Sequence, residues 1–141
     1  MYGGSYIHQA VGFTDPVSIT VKSAGRIILV NKPRASEEAV EIVRDNVGTS
    51  VVRVGLAQFP AGIGVEDASE LKADLVEPCN NLRMGTAMFA KILHIVTRWY
   101  GNPTSEESFP RLFEDALHAW QTGEFEGENV FHAENAGGMV V

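Results

Sequence analysis

The sequence predicts an α+β fold that is mainly helical, with a small β-hairpin or three-stranded region near its beginning. Two observations carry this prediction. Alternating, β-branched residues form two short segments joined by a turn within residues 16–30. Two long apolar patterns of helical period follow, at about 78–100 and 105–122. With 141 residues, the chain has the length of one ordinary domain.

The first elements are predicted from local composition. Residues 16–21 alternate side-chain faces, and 26–30 return as the second strand of a hairpin, whose turn contains Gly25. A helix is expected to begin at Ser36, with acidic residues in its first turn, and to end at Gly48. A third short strand is then predicted over 50–54.

The two long helices follow a loop and a weak helical turn around 67–74. Pro78 suits the first turn of the longest helix, and the Gly-Asn-Pro run at 101–103 stops it. Few charges interrupt its apolar residues, so we expect it to be buried on most sides. Ser105 opens a second, amphipathic helix that is expected to end at Gly123.

The net charge of −7 is unevenly distributed along the chain. Residues 1–104 hold ten acidic and ten basic residues, whereas 105–141 hold eight acidic residues and one base, Arg111. A protein that grips nucleic-acid phosphates needs clustered lysine and arginine. The charge pattern therefore disfavours nucleic acid as a partner.

No cofactor or metal is expected from the sequence. Cys79 is the only cysteine, which excludes an internal disulfide, and the four histidines show no metal-ligand spacing. No glycine-rich dinucleotide or phosphate loop is present. Cys79 itself is expected to be a buried small hydrophobic residue, and His94 a hydrogen-bonded residue in the interior of its helix or at its edge.

No membrane span is expected, since no apolar run approaches the roughly 20 residues that cross a bilayer. The first residues have neither basic charge nor an apolar stretch, so no signal peptide is expected and the chain taken literally is cytoplasmic. A chain lacking its natural N-terminus would look the same, which leaves the compartment open.

Three stretches, at 54–59, 77–85 and 115–123, together resemble the lysozyme-like lytic transglycosylases of type IV secretion and conjugation systems. That family has a Gly-Leu-Met-Gln-Ile strand, an Asp-Pro-Cys-x-Asn-Leu-x-x-Gly helix start and an Ala-Leu-x-Ala-Tyr-Asn-x-Gly segment. Residues 15–19 are also similar to its Asn-Pro-Leu-Ala-Ile. The resemblance covers roughly 12–126, and it implies a single lysozyme-like domain over 1–126 followed by a C-terminal extension over 127–141.

Within that group the chain is most similar to TraH-like conjugal-transfer proteins of Ti-type plasmids, through residues 55–62 and 99–104. The resemblance implies a role in plasmid conjugation. Its implied partners are components of the conjugation apparatus and peptidoglycan, and its implied compartment is the periplasm.

A lysozyme-like transglycosylase needs a carboxylic acid of raised pKa to protonate the glycosidic oxygen. The resemblance places the family's glutamate five residues before Pro16, where this chain has Val11. The first glutamate is Glu37, and the only earlier acid is Asp15, which suits the cap of a turn beside its proline. No catalytic residue is assigned, and Asp15 is kept as a weak candidate.

The resemblance also implies a glycan-binding groove. Its candidate residues are Gly55, Leu56, Gln58, Phe59, Trp120 and Gln121. Trp120 and Gln121 stand where the family has tyrosine and asparagine. Each candidate has a structural alternative: the 55–58 run also fits a strand end with a close backbone approach, and a tryptophan on an amphipathic helix also fits the core.

Three functional hypotheses follow. The first is a degenerate lytic-transglycosylase-like domain with a non-catalytic binding or scaffolding role in the mating or type IV secretion apparatus. The second is an active peptidoglycan-cleaving enzyme of the muramidase type, whose acid is Asp15 or lies outside this sequence. The third is a protein–protein adaptor that presents its acidic C-terminal third to a basic partner.

Overall fold

The computed structural model describes residues 15–63, 65 and 67–133, and it confirms the α+β class within them. Contacts divide the chain into two compact units, Met1–Gly85 and Thr86–Val141. We call them the N-terminal unit and the C-terminal unit and describe each by itself. No helix within the described residues is both long and apolar enough to cross a membrane.

The N-terminal unit contains an antiparallel sheet of four strands in the order β2-β1-β3-β4. The strands are β1 (Ile19–Ser23), β2 (Arg26–Ile28), β3 (Val51–Val54) and β4 (Phe59–Pro60). The first three confirm the predicted hairpin and third strand. The fourth was not predicted, because two residues ending in proline show no alternation; it forms where a tight loop returns the chain alongside β3.

Helix α1 (Ser36–Asn46) packs on this sheet and begins at the predicted serine. Its first turn holds Glu37 and Glu38, whose charges favour the positive end of the helix dipole. The apolar face of α1 and one face of the sheet bury their side chains together. The buried cluster consists of Val21, Ala39, Val43, Val52, Val54, Leu71, Leu75 and Val76.

The helical turn expected around 67–74 forms as two short 3₁₀ turns, Ala68–Glu70 and Ala73–Val76. A capping box closes the first turn, in which Asp67 accepts from the Ser69 N–H at 2.9 Å and Glu70 accepts from the Asp67 N–H at 3.0 Å. The second turn contributes to the buried cluster.

Helix α2 (Pro78–Trp99) lies where the apolar periodicity predicted it, whereas helix α3 (Phe109–Thr122) begins four residues later than the predicted Ser105, whose side chain caps a 3₁₀ turn instead. The beginning of α2 belongs to the N-terminal unit and its remainder to the C-terminal unit. A 3₁₀ turn (Glu106–Ser108) precedes α3. Gly123 ends α3 as predicted, in the left-handed conformation with φ of +81° that glycine adopts without strain.

A second hairpin follows α3, formed by β5 (Glu124–Phe125) and β6 (Glu128–Asn129). Its two turn residues, Glu126 and Gly127, both have positive φ, as a two-residue hairpin of matching twist requires. Sequence analysis did not predict this hairpin, since its strands are too short and too acidic to show a pattern. The boundary predicted between 126 and 127 falls inside this turn.

Candidate functional site

Asp15, the weak catalytic candidate, caps the turn that leads into β1. Its Oδ1 accepts a hydrogen bond from the Val17 N–H at 3.0 Å, and its carbonyl accepts one from the Ser18 N–H at 3.1 Å. Its Oδ2 lies 3.6 Å from the Nζ of Lys32. These contacts match the turn-capping alternative, and a catalytic role for Asp15 stays a prediction. Val11, where the family has its glutamate, lies outside the described residues.

The candidates at 55–59 form the loop between β3 and β4. Gly55 has φ of +76°, and its N–H donates to the Ser18 carbonyl at 2.8 Å. The Gln58 N–H closes the turn by donating to the Gly55 carbonyl at 3.1 Å. Leu56 is half-buried, and Phe59 packs on the cluster beneath the sheet. The loop is therefore held to the sheet at both its ends.

The side chain of Gln58 is buried and hydrogen-bonded within the N-terminal unit. Only 3% of the residue is exposed. Its Oε1 accepts from the Thr20 hydroxyl at 2.8 Å, and its Nε2 donates to the carbonyls of Gly55 at 3.0 Å and Ser18 at 3.3 Å. Its φ of +52° is a left-handed conformation that strains any residue with a β-carbon. The amide thus joins the loop to β1.

Arg53 supplies a positive charge beside this loop. Its Nε donates to the Gln58 carbonyl at 2.8 Å. Burial lowers the pKa of Arg53 to about 10, so the guanidinium stays protonated at neutral pH. The loop therefore has a cation next to its backbone.

Asn81 organises the loop from the first turns of α2. It is fully buried, and its Oδ1 accepts from the Ala57 N–H at 2.8 Å. Its Nδ2 donates to the carbonyls of Val54 and Leu75, each at 3.0 Å. A β-carbon on Gly55 would lie 2.4 Å from the Asn81 Cγ. Two of the three stretches that carry the resemblance, 54–59 and 77–85, therefore meet at this asparagine.

Asn81 stands where the resembling family has the asparagine of its helix-start motif, and no contact was predicted for it. The sequence does contain a signal for its burial: Asn81 occupies a position at which the helical period of α2 otherwise places apolar, inward-facing residues. Burial of such an amide requires partners for both its donor and its acceptor atoms. The end of β3, the loop that follows it and the second 3₁₀ turn provide them, through the Val54 carbonyl, the Ala57 N–H and the Leu75 carbonyl.

Cys79 corrects one expectation, since it is exposed rather than buried. It is the second residue of α2, and its N–H donates to the Glu77 carboxylate at 3.1 Å. Two residues further along the helix, the inward position is taken by Asn81. Because residues two apart lie on opposite sides of a helix, the cysteine faces outward.

Trp120 and Gln121 have opposite environments in the C-terminal unit. Trp120 is fully buried, and its ring packs edge-on against Phe89 and Phe131, with centroids 6.3 and 5.9 Å apart. This placement agrees with the core alternative. Gln121 is exposed. Its role as a glycan-groove residue stays a prediction.

Lys91 is a buried cation that sequence analysis did not single out. It is 6% exposed, and its Nζ donates to the carbonyls of Phe131 at 2.9 Å and Ala133 at 3.0 Å. Burial lowers the pKa of Lys91. The lysine thus ties α2 to the segment that follows β6.

A polar cavity of about 400 Å³ lies beside the second hairpin. Asp115 Oδ2 accepts from the Tyr100 hydroxyl at 2.5 Å and from Arg111 Nε at 3.4 Å. The pKa of Arg111 is raised by its interaction with the Tyr100 side chain and, to a smaller extent, by the charge of Asp115. The cavity wall is formed by Tyr100, Arg111, Asp115, His118, Thr122 and residues 124–127.

Two further cavities adjoin this one along the same side of the C-terminal unit. One, of about 250 Å³, shares Tyr100 and Arg111 with the polar cavity. It shares Pro103 and Leu112 with the other, of about 420 Å³, whose wall also contains Phe109. We call this row of three cavities the C-terminal groove.

The structure contains no group of three or more histidine, cysteine, aspartate or glutamate side chains arranged to hold a metal ion within 15–63, 65 and 67–133.

Comparison with known proteins shows similarity over nearly the whole chain. The family model TraH_2 matches residues 4–141. Uncharacterized protein y4dP of Sinorhizobium fredii (strain NBRC 101917 / NGR234) is 56% identical over 131 residues. That alignment covers 93% of this chain and 66% of the relative, so the chain spans just under two thirds of the relative's length. No solved structure matches.

Proposed function

The chain belongs to the TraH_2 family, and from this membership we propose that it acts in conjugal transfer as a non-catalytic binding or scaffolding protein. The family itself indicates a conjugal-transfer-related role. The finer proposal is that the chain contains a degenerate lytic-transglycosylase-like domain and works within the mating or type IV secretion apparatus.

The observation that carries the non-catalytic proposal is that the Gln58 side chain is buried and hydrogen-bonded within the N-terminal unit. The resemblance puts this glutamine in the glycan groove, yet its side-chain amide bonds to Thr20, Gly55 and Ser18. None of its hydrogen-bond partners among the described residues is a carboxylic acid. A transglycosylase needs such an acid at the reacting sugar. The hydrogen bonds of Gln58 therefore support a structural role for this motif residue, as in a scaffolding protein.

The surroundings of Asp15 support the same proposal. A general acid must carry its proton to the glycosidic oxygen. The Asp15 carboxylate instead accepts from a backbone N–H and faces the Lys32 ammonium, two contacts with positive or donor groups. This arrangement suits a turn cap, and Asp15→Asn is accordingly the variant that separates the two hypotheses.

A mating assay tests the conjugal role. Donor cells lacking the gene should transfer their plasmid at lower frequency, and the wild-type gene supplied in trans should restore transfer. The Asp15→Asn gene should restore it equally. Undiminished transfer without the gene would contradict the conjugal role.

Zymography on peptidoglycan tests the non-catalytic part separately. The purified chain should produce no clearing, with an active lysozyme as the positive control. Clearing that disappears in Asp15→Asn, together with loss of transfer by the same variant, would establish the competing hypothesis of an active muramidase-type enzyme.

A further inference from the structure

In the described part of the chain, the exposed large hydrophobic side chains fall into two groups. Each group belongs to one unit. The N-terminal group is Ile27, Ile28, Leu29 and Val51, and the C-terminal group is Trp99, Tyr100 and Phe109. Clustered exposed apolar side chains of this kind mark interaction surfaces.

The N-terminal group lies on the outer face and at the edge of the sheet. Lys22 on β1 is paired with Ile27 on β2 and Val51 on β3, so the three side chains share one face. Ile27 and Val51 are 66% and 57% exposed. Leu29 follows β2, the strand at the end of the sheet, and is 94% exposed. These side chains project from the unit.

This surface is basic. The four strands of the sheet contain three basic residues, Lys22, Arg26 and Arg53, and no acidic one. Lys22 shares the outer face with Ile27 and Val51, whereas Arg26 pairs with Ser23 and lies on the edge strand β2. We define the basic hairpin face as this outer face together with the β2 edge, formed by Lys22, Ile27 and Val51 on the face and by Arg26 and Leu29 at the edge.

The C-terminal group lies along the C-terminal groove. Tyr100 and Phe109 line its cavities, and the ring of Trp99 packs edge-on against Tyr100 with centroids 5.0 Å apart. Glu106 lines the cavity that contains Phe109, and Glu126 lines the polar cavity. Residues 105–133 hold seven acidic residues against one arginine. The groove is therefore concave, aromatic and acidic.

We propose that the chain self-associates head to tail, with the basic hairpin face of one copy bound in the C-terminal groove of a second copy. The two surfaces are opposite in charge, and each has apolar side chains among its charges. Projecting side chains such as Leu29 meet a row of cavities. Complementary charge and complementary shape are the features that select one partner over others.

Pairing of like surfaces is disfavoured by the same charges. Two hairpin faces in contact would bring Lys22 and Arg26 of both copies together, and two grooves would bring their glutamates together. Like charges in apposition cost free energy and suppress such contacts. Binding of one surface to the other extends beyond a dimer unless the copies close, either as a two-fold dimer in which both contacts are made reciprocally or as a larger ring.

A lipid surface is the main competing occupant of the basic hairpin face, since apolar and basic side chains also suit an anionic membrane. Within residues 15–63, 65 and 67–133 no strand pairs with the outer edge of β2, and this edge argues against a membrane. Edge N–H and C=O groups immersed in hydrocarbon have no partners, and this costs several kcal/mol for each group. In addition, a membrane leaves the acidic groove without a role, whereas a second copy uses both surfaces.

Analytical ultracentrifugation on four forms of the full chain tests the proposal. The hairpin variant is Arg26→Ser with Leu29→Ser, and the groove variant is Glu106→Gln with Phe109→Ser. A control variant, Lys72→Ser with Glu41→Gln, removes one exposed base and one exposed acid outside both surfaces. Circular dichroism verifies that each variant is folded.

Wild type and control should increase in average mass with protein concentration and return towards 15.3 kDa as salt is added. Each of the other variants alone should sediment as a monomer. When the hairpin variant and the groove variant are mixed in equal amounts, they should form a species of twice the chain mass and no larger. The intact hairpin face of the groove variant then binds the intact groove of the hairpin variant, and no second pair of intact surfaces remains.

Three results would overturn the proposal. The first is a wild type that stays monomeric at its highest soluble concentration. The second is a mixture of the two variants that forms no heterodimer. The third is a wild type that binds vesicles of anionic phospholipid without self-association, which would assign the hairpin face to a membrane.

Discussion

Gly55 and Asn81 fit each other so closely that the glycine has no room for a side chain. An ideal β-carbon on Gly55 would lie 2.4 Å from both the Cγ and the Nδ2 of Asn81. The buried asparagine in turn satisfies one backbone N–H and two carbonyls around the loop. The glycine permits this approach, and the asparagine makes it favourable.

A double-mutant cycle on these two residues should show strong coupling. Gly55→Ala should lower the free energy of unfolding by about 3 kcal/mol, from left-handed strain of about 1 kcal/mol and overpacking of about 2 kcal/mol. Asn81→Ala should lower it by a similar amount, because buried backbone groups lose their partners. In the Asn81→Ala background, Gly55→Ala should cost only the strain. Urea unfolding followed by circular dichroism measures all four forms.

Gly48→Ala is the control, since a β-carbon there meets nothing within 4 Å and the residue has no positive φ. Its effect should stay within about 0.5 kcal/mol. Costs at Gly55 and Asn81 that simply add would contradict the contact.

Substitutions at Gln58 should reverse the ordinary order of glycine and alanine. Both Gln58→Ala and Gln58→Gly remove the bonds to Thr20, Gly55 and Ser18. The left-handed φ of +52° penalises any β-carbon, so the glycine variant should be about 1 kcal/mol more stable than the alanine variant. Thermal unfolding of the two variants beside wild type measures the order. An alanine variant more stable than the glycine variant would exclude the observed backbone conformation.

Trp120 and Gln121 should differ sharply despite being neighbours. Trp120→Ala should lower the free energy of unfolding by about 3–5 kcal/mol, since it empties the aromatic cluster with Phe89 and Phe131. Gln121→Ala should change it by no more than about 1 kcal/mol, because the residue is exposed. Urea unfolding provides both values, and equal effects would be inconsistent with the burial of Trp120.

Because Gln121→Ala leaves the fold intact, it also tests the predicted groove. Binding of wild type and Gln121→Ala to insoluble peptidoglycan can be compared by co-sedimentation. Weaker binding by the variant would support a glycan contact at Gln121, and identical binding would remove this residue from the groove prediction.

The sequence predicted those elements whose formation depends on their own residues. The apolar periods of α2 and α3 placed both helices, and Gly123 marked the end of α3 through its conformational freedom. The predicted turn at Gly25 and the alternation in β1 identified the first hairpin. In each case the signal and the structure it specifies lie in one continuous segment.

Partners distant in sequence decided the rest. Gln58 and Trp120 lie in the stretches that resemble the family. The buried environment of Gln58 depends on Thr20, and that of Trp120 depends on Phe131. Lys91 gave no local sign of its bonds to carbonyls beyond residue 130. A hydrogen bond across about 40 residues leaves no periodicity for a pattern to report.

The sequence by itself determined the α+β class, the C-terminal ends of its two long helices and the concentration of acidic charge after residue 104. Only the tertiary structure decided which motif residues are buried, that Asn81 joins two motif stretches, and that exposed apolar side chains accompany charges of opposite sign in the two units. The physical reason is that propensity and charge belong to single residues, whereas burial and hydrogen-bond satisfaction belong to pairs that the fold brings together.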